Sequence, residues 1–171
     1  MAMPVSCQDI DQTHRHRYPP ICENVGHEVT RYYGPALEQT QALREQSMYW
    51  QIGQQFEEIN TELERVSRLQ DGWDSYHASA PSQGAIDIAR QLLRLLRAAM
   101  LPPNRVVPSA EGGIGICFVD ADKYADFEIF NDREILATAY RGRSEPHVWE
   151  VSASAGSIED AIRRIREHLN S

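Results

Sequence analysis

The densest group of chemically able side chains is the string Asp71-Gly72-Trp73-Asp74-Ser75-Tyr76-His77, followed by Pro81-Ser82. It gathers two carboxylates, an indole, a phenol and an imidazole into one short segment. Asp74 and His77 together offer an acid/base pair, and Trp73 and Tyr76 could wall a small-ligand site around them. The same residue types also serve architecture. Trp73 would then fix the angle between flanking helices, while Asp71 or Asp74 accepts backbone N–H groups in the turn. No third group at a recognisable spacing completes a catalytic set. The architectural role is therefore preferred, with catalysis by Asp74 and His77 as the alternative.

Other clusters carry less chemistry. Cys7, His14, His16, Cys22 and His27 supply zinc-type donors, but their spacing matches no finger or ribbon, and no metal or cofactor is expected. Asp126, Glu128 and His147 fall in alternating segments and could share one face of a sheet, where paired carboxylates suit hydrolysis. Asp126 and Glu128 equally occupy the polar side of an alternating strand, which is the simpler account. Glu111-Gly112-Gly113-Ile114-Gly115 opens no helix, so it lacks the dipole that makes a phosphate cradle and reads as a hairpin turn. Cys117 lies mid-strand with no basic neighbour to activate it, which suits a core residue.

These residues need elements to hold them, and the hydrophobic rhythm supplies a set. Residues 1–34 keep no sustained period and read as an irregular arm. Pro35 is placed to open a helix. Beyond it Ile52, Phe56, Ile59, Leu63 and Val66 recur at spacings of four, three, four and three. Gly72 suits the left-handed turn that ends this helix. Ser82 then caps a second helix over 83–100, apolar around most of its circumference with Arg90, Arg94 and Arg97 as a narrow stripe. Pro102-Pro103 stops it.

After the two prolines the period becomes two. Strands are expected at Arg105–Pro108, Ile114–Val119, Tyr124–Phe130, Ile135–Tyr140 and His147–Val151, separated by turn-forming residues too short for parallel crossovers. Ser157-Ile158-Glu159-Asp160 should open a last helix with a capping-box-like pair. The expected fold is α+β: two helices, an antiparallel four- to five-stranded meander, and a C-terminal helix on one sheet face. Residues 35–171 would form a single domain.

Leu69-Gln70-Asp71-Gly72-Trp73-Asp74-Ser75-Tyr76, Pro81-Ser82, Ala85-Ile86, Val107-Pro108 and Glu111-Gly112-Gly113-Ile114 together give a wider pattern. It resembles a loose family of small uncharacterised bacterial proteins with a Gly-Trp-Asp-x-Tyr turn before a helix and a Gly-Gly turn between strands. The resemblance spans about residues 65–170 and implies a fold, not an activity.

Composition narrows the function classes. The 171 residues carry a formal charge of −8, and residues 105–156 hold nine acids against four arginines and Lys123. No segment forms a basic platform, which argues against nucleic-acid binding. The apolar stretch near 92–100 is interrupted by Arg94 and Arg97 and falls short of a membrane span. No signal peptide is visible, and three widely spaced cysteines suggest a reducing, cytoplasmic setting. One lysine beside sixteen arginines suggests a GC-rich bacterial source.

The expectation is an acidic, non-enzymatic module that binds another, basic protein through Tyr49, Trp50 and Phe56 on the long helix and Asp126 and Glu128 on the sheet. The first helix could also pair with a second copy. A neutraliser of a basic toxin or nuclease, or an accessory protein of a defence or mobile-element operon, would fit that charge.

Overall fold

From Arg105 to Glu150 the chain is sheet. In the computed structural model, which describes the backbone from Val25 and the side chains from Gln39, five strands run β1 Arg105–Pro108, β2 Gly113–Asp120, β3 Lys123–Phe130, β4 Ile135–Arg141 and β5 His147–Glu150. Each pairs antiparallel with its sequence neighbour in the order β1-β2-β3-β4-β5. The meander follows from short connectors, which allow hairpins and no crossovers. Gly113 is required at the β1–β2 turn. Its φ is 137°, and a Cβ there would sit 2.1 Å from the Ile129 carbonyl oxygen.

Three helices complete the described residues: α1 Val25–Val66, α2 Gln83–Ala98 and α3 Ala155–Asn170. Residues 1–24 lie outside the described residues, and with them Cys7, His14, His16 and Cys22; the side chain of His27 is outside them too. Pro35 does not open α1, which has already run for ten residues. The sequence between Pro20 and Pro35 holds no other proline, and a helix once nucleated extends readily. The chain divides into two units, Met1–Gln46 and Ser47–Ser171. In the first, the helix exposes Leu43, and Gln41 donates to Glu45 at 3.4 Å. The second holds the rest of α1 together with α2, the sheet and α3.

The core of this second unit lies between one sheet face and the helices. Register places Ile114 opposite Ile129, Ile116 opposite Phe127 and Phe118 opposite Ala125, and all six are buried. Against them pack Leu92, Leu93 and Leu96 of α2, Ile158, Ile162 and Ile165 of α3, and Phe56, Ile59, Leu63 and Val66 of α1. α2 lies over β2 and β3, and α3 over β3 and β4. Ala125, Ala137 and Ala139 on β3 and β4 keep this face low enough for α3 to approach.

α2 is capped by Ser82, whose side chain accepts the Ala85 N–H at 3.2 Å. α3 starts three residues earlier than its sequence suggests. Ser154, not Ser157, is the cap and accepts the Ser157 N–H at 3.4 Å, while Ser157 Oγ accepts the Ser152 N–H at 3.1 Å. Asp160 consequently does not close a capping box and pairs with Arg163 at 2.7 Å.

Gly53 lies inside α1, and a Cβ there would meet nothing within 4 Å. Gly53→Ala should therefore raise stability by about 0.5–1 kcal/mol, through lower backbone entropy in the unfolded chain. Chemical denaturation checks this, and an unchanged or lower midpoint would contradict it.

Candidate functional site

Within the unit Ser47–Ser171 no helix packs on the second face of the sheet. Register arranges it in rows: Arg105–Cys117–Asp126–Thr138–Val148, Val107–Gly115–Glu128–Leu136–Glu150, and Val119–Tyr124–Tyr140. This face is apolar at its margins, with Val119 and Val148 exposed, and acidic in the middle. Among the described residues of these rows, Asp126, Glu128 and Glu150 stand against one cation, Arg105.

Asp126 is the centre of the face. The Tyr124 hydroxyl, two residues back on the same side, donates to Asp126 Oδ2 at 3.1 Å and lies 3.6 Å from Cys117 Sγ. Its ring tilts against Tyr140 with centroids 4.8 Å apart. Asp126 Oδ1 is buried with no hydrogen-bond partner in bonding geometry, although the Thr138 side chain is its cross-strand neighbour. Burial pushes the Asp126 carboxyl above the ordinary aspartate range. The Tyr124 and Thr138 side chains counter this in part, and the charge of Glu128 adds to it. The Tyr124 phenol is pushed well above its ordinary value, first by burial, then by the Cys117 side chain and the charge of Asp126. It stays protonated and serves as a donor. Glu128 is fixed by Ser109, whose hydroxyl donates to Oε1 at 2.7 Å.

His147 does not join these carboxylates, as the sequence suggested it could. It pairs with Ala139, which puts it on the helix-covered side. There it stacks on Trp149 at 5.2 Å and meets Arg164 at 2.8 Å, while the Arg164 guanidinium lies 4.1 Å over the Trp149 ring. One residue of register decides the side a strand side chain faces.

The Asp71–His77 loop is built by its carboxylates. Asp74 Oδ1 accepts the Tyr76 N–H at 2.9 Å and the Ala78 N–H at 3.0 Å, and Asp71 Oδ1 accepts the Ala80 N–H at 2.8 Å. These bonds, Ala78 first, hold the Asp74 carboxyl below its usual range. Ser75 and His77 adopt positive φ on either side of Tyr76, whose side chain is 88% exposed at the tip. The Trp73 indole N–H is buried without a partner. The loop end is pinned to the β3–β4 turn by Asn131. Its side chain accepts the Ser82 N–H at 2.6 Å and donates to the Ala80 carbonyl at 2.9 Å. By type Asn131 signals only a turn, and nothing local in the sequence signals bonds to residues 49 and 51 positions away.

On α1, Tyr49 and Trp50 are 58% and 66% exposed and Met48 is exposed beside them. Phe56 is 1% exposed and belongs to the core, so it leaves the partner-binding set. Cys117 is a buried free thiol. Among the described residues no three His, Cys, Asp or Glu side chains converge as a metal site, and no helix is long and apolar enough to cross a membrane. No protein-family model, no curated protein and no solved structure matches the chain.

Two substitutions test these assignments. The folded-state pKa of Asp126 lies above its unfolded value, so its favourable contribution is complete below about pH 4 and is lost as pH rises through the raised value. Asp126→Asn should stabilise the protein at pH 7 by less than about 1 kcal/mol, since water still partly reaches the group, and the gain should vanish near pH 4. Thermal melts at both pH values measure this; a loss of equal size at each would contradict it. Asp74→Ala leaves two loop N–H groups without their acceptor and should lower the midpoint of the same melts. A variant as stable as the parent would remove Asp74 from the architecture.

Proposed function

We propose that the chain is a non-enzymatic interaction module whose uncovered sheet face receives a basic protein partner. One observation carries the proposal: this face combines half-buried Tyr124, Tyr140 and Leu136 with three carboxylates and a single arginine. An apolar surface with a charged centre of one sign suits a partner of the opposite sign, since complementary potentials speed encounter and exclude wrong partners. The raised affinity of Asp126 for its proton supports the same reading. A cation brought against the face beside Asp126 would supply the missing counter-charge.

Exposed Tyr49 and Trp50 on α1 are a second contact element, for the same partner or for a second copy of the chain. The alternative, an enzyme or small-ligand binder with a site between the Trp73–His77 loop and the sheet, has less support, because Asp74 is committed to two backbone N–H groups and Tyr76 is 88% exposed at the loop tip. A cytoplasmic neutraliser of a basic toxin or nuclease, or an accessory protein of a bacterial defence or mobile-element operon, would use such a surface.

The test is affinity capture from the native cell. A basic partner should co-purify at physiological salt and be released as salt rises. Glu128→Lys should reduce its retention at least tenfold, and Asp74→Ala should leave retention of the folded variant unchanged. Retention indifferent to Glu128→Lys, or capture of no partner, would overturn the proposal.

A further inference from the structure

A second charged surface lies between α1 and α2, away from the sheet. The two helices are joined by cross-helix ion pairs: Arg90 meets Glu64 at 2.8 Å, and Arg97 meets Glu57 at 3.1 Å. Residue numbers rise along one helix as they fall along the other, so the helices run antiparallel and the pairs form rungs. Between the two outer rungs stand Asn60 on α1 and Arg94 on α2, which line the same groove of about 250 Å³. Its floor is Phe56, Leu63 and Leu93, all buried. The spacing on α1 is Glu57, Asn60, Glu64 and on α2 Arg90, Arg94, Arg97, each at helical neighbour intervals.

The middle rung therefore has an amide where its neighbours have carboxylates. Among the described residues no acid lies within ion-pair distance of Arg94. Arg97 is matched by Glu57 and held over the Phe56 ring at 5.9 Å, and Arg90 is matched by Glu64 and, at 3.6 Å, by Asp87 of its own helix. Arg90, Arg94 and Arg97 stand beside Glu57, Glu64 and Asp87, so these charges balance in number while Arg94 alone has no acid of its own. A planar guanidinium fork with free N–H donors matches one carboxylate in geometry and in charge. The Asn60 amide can donate to a carboxylate oxygen, whereas a glutamate at that position would repel it.

We propose that this groove is a carboxylate-binding site, in which an external carboxylate pairs with Arg94, accepts from Asn60 and completes the middle rung. The carboxylate is a free small acid or the side chain of an aspartate or glutamate on another polypeptide. The chemistry is the same for both, and it is independent of the sheet face.

Nuclear magnetic resonance of the full chain, observing arginine Nε–Hε and asparagine side-chain amides, tests it. The probes are sodium acetate and a blocked tripeptide whose one carboxylate is a glutamate side chain, each compared with sodium chloride at equal ionic strength. Arg94 and Asn60 signals should shift saturably with one or both probes, while Arg90 and Arg97 shift less. A response to acetate alone assigns a free acid, and a response to the tripeptide alone assigns a polypeptide side chain. Asn60→Glu fills the rung from within. It should abolish the Arg94 response at least tenfold in apparent affinity and leave the fold intact. Arg94→Gln should abolish the Asn60 response. Shifts that match chloride, or that survive Asn60→Glu, would overturn the assignment.

Discussion

A strand presents its side chains alternately to two sides, and the helices of this chain cover one side of the sheet. Those two facts govern the rest. The covered side must be apolar and graded in size, which is why Ile116, Phe127 and Ile129 sit under the helices and Ala125, Ala137 and Ala139 lie where α3 approaches. The uncovered side is free to carry polar groups, but its positions are spaced by the same pleat. Asp126 is therefore set between Cys117 and Thr138 with limited access to water.

That placement has a cost. A carboxylate with one oxygen bonded to Tyr124 and the other buried without a donor weakens the isolated fold when it ionises. A neutral side chain would suit the sheet better. Asp71 and Asp74 are the opposite case, because those carboxylates are fully employed in folding a loop. Two sets of acids in one chain thus have opposite relations to stability. The set that works against the fold is the one on the surface without a covering element.

Much of this architecture is legible in the residues. The shift from a helical to a two-residue rhythm past Pro103 locates all five strands to within one or two residues, because alternation such as Ile114, Ile116, Phe118 is a direct image of one buried face. Side assignment for β5 is not legible. The turn over 142–146 leaves its register open, and a shift of one residue carries His147 from one face to the other. The apolar stripe of α1 identifies a buried face but not its occupant, so Phe56 looks as available as Tyr49 until α2 is in place. The start of α3 is ambiguous because Ser154 and Ser157 are equal caps by type. Asn131 and the Arg90–Glu64 and Arg97–Glu57 rungs join residues 26 to 51 apart in sequence, and local pattern cannot supply such pairings.

The proposed function requires the uncovered sheet face to be occupied in the cell. Carbene footprinting read by mass spectrometry measures this directly, by comparing the purified chain with the chain in intact native cells. The account predicts that Val119, Tyr124, Leu136, Tyr140 and Val148 label readily when the chain is alone and are protected together in the cell, with Tyr76 labelling equally in both. Equal labelling of the five in both settings would contradict it.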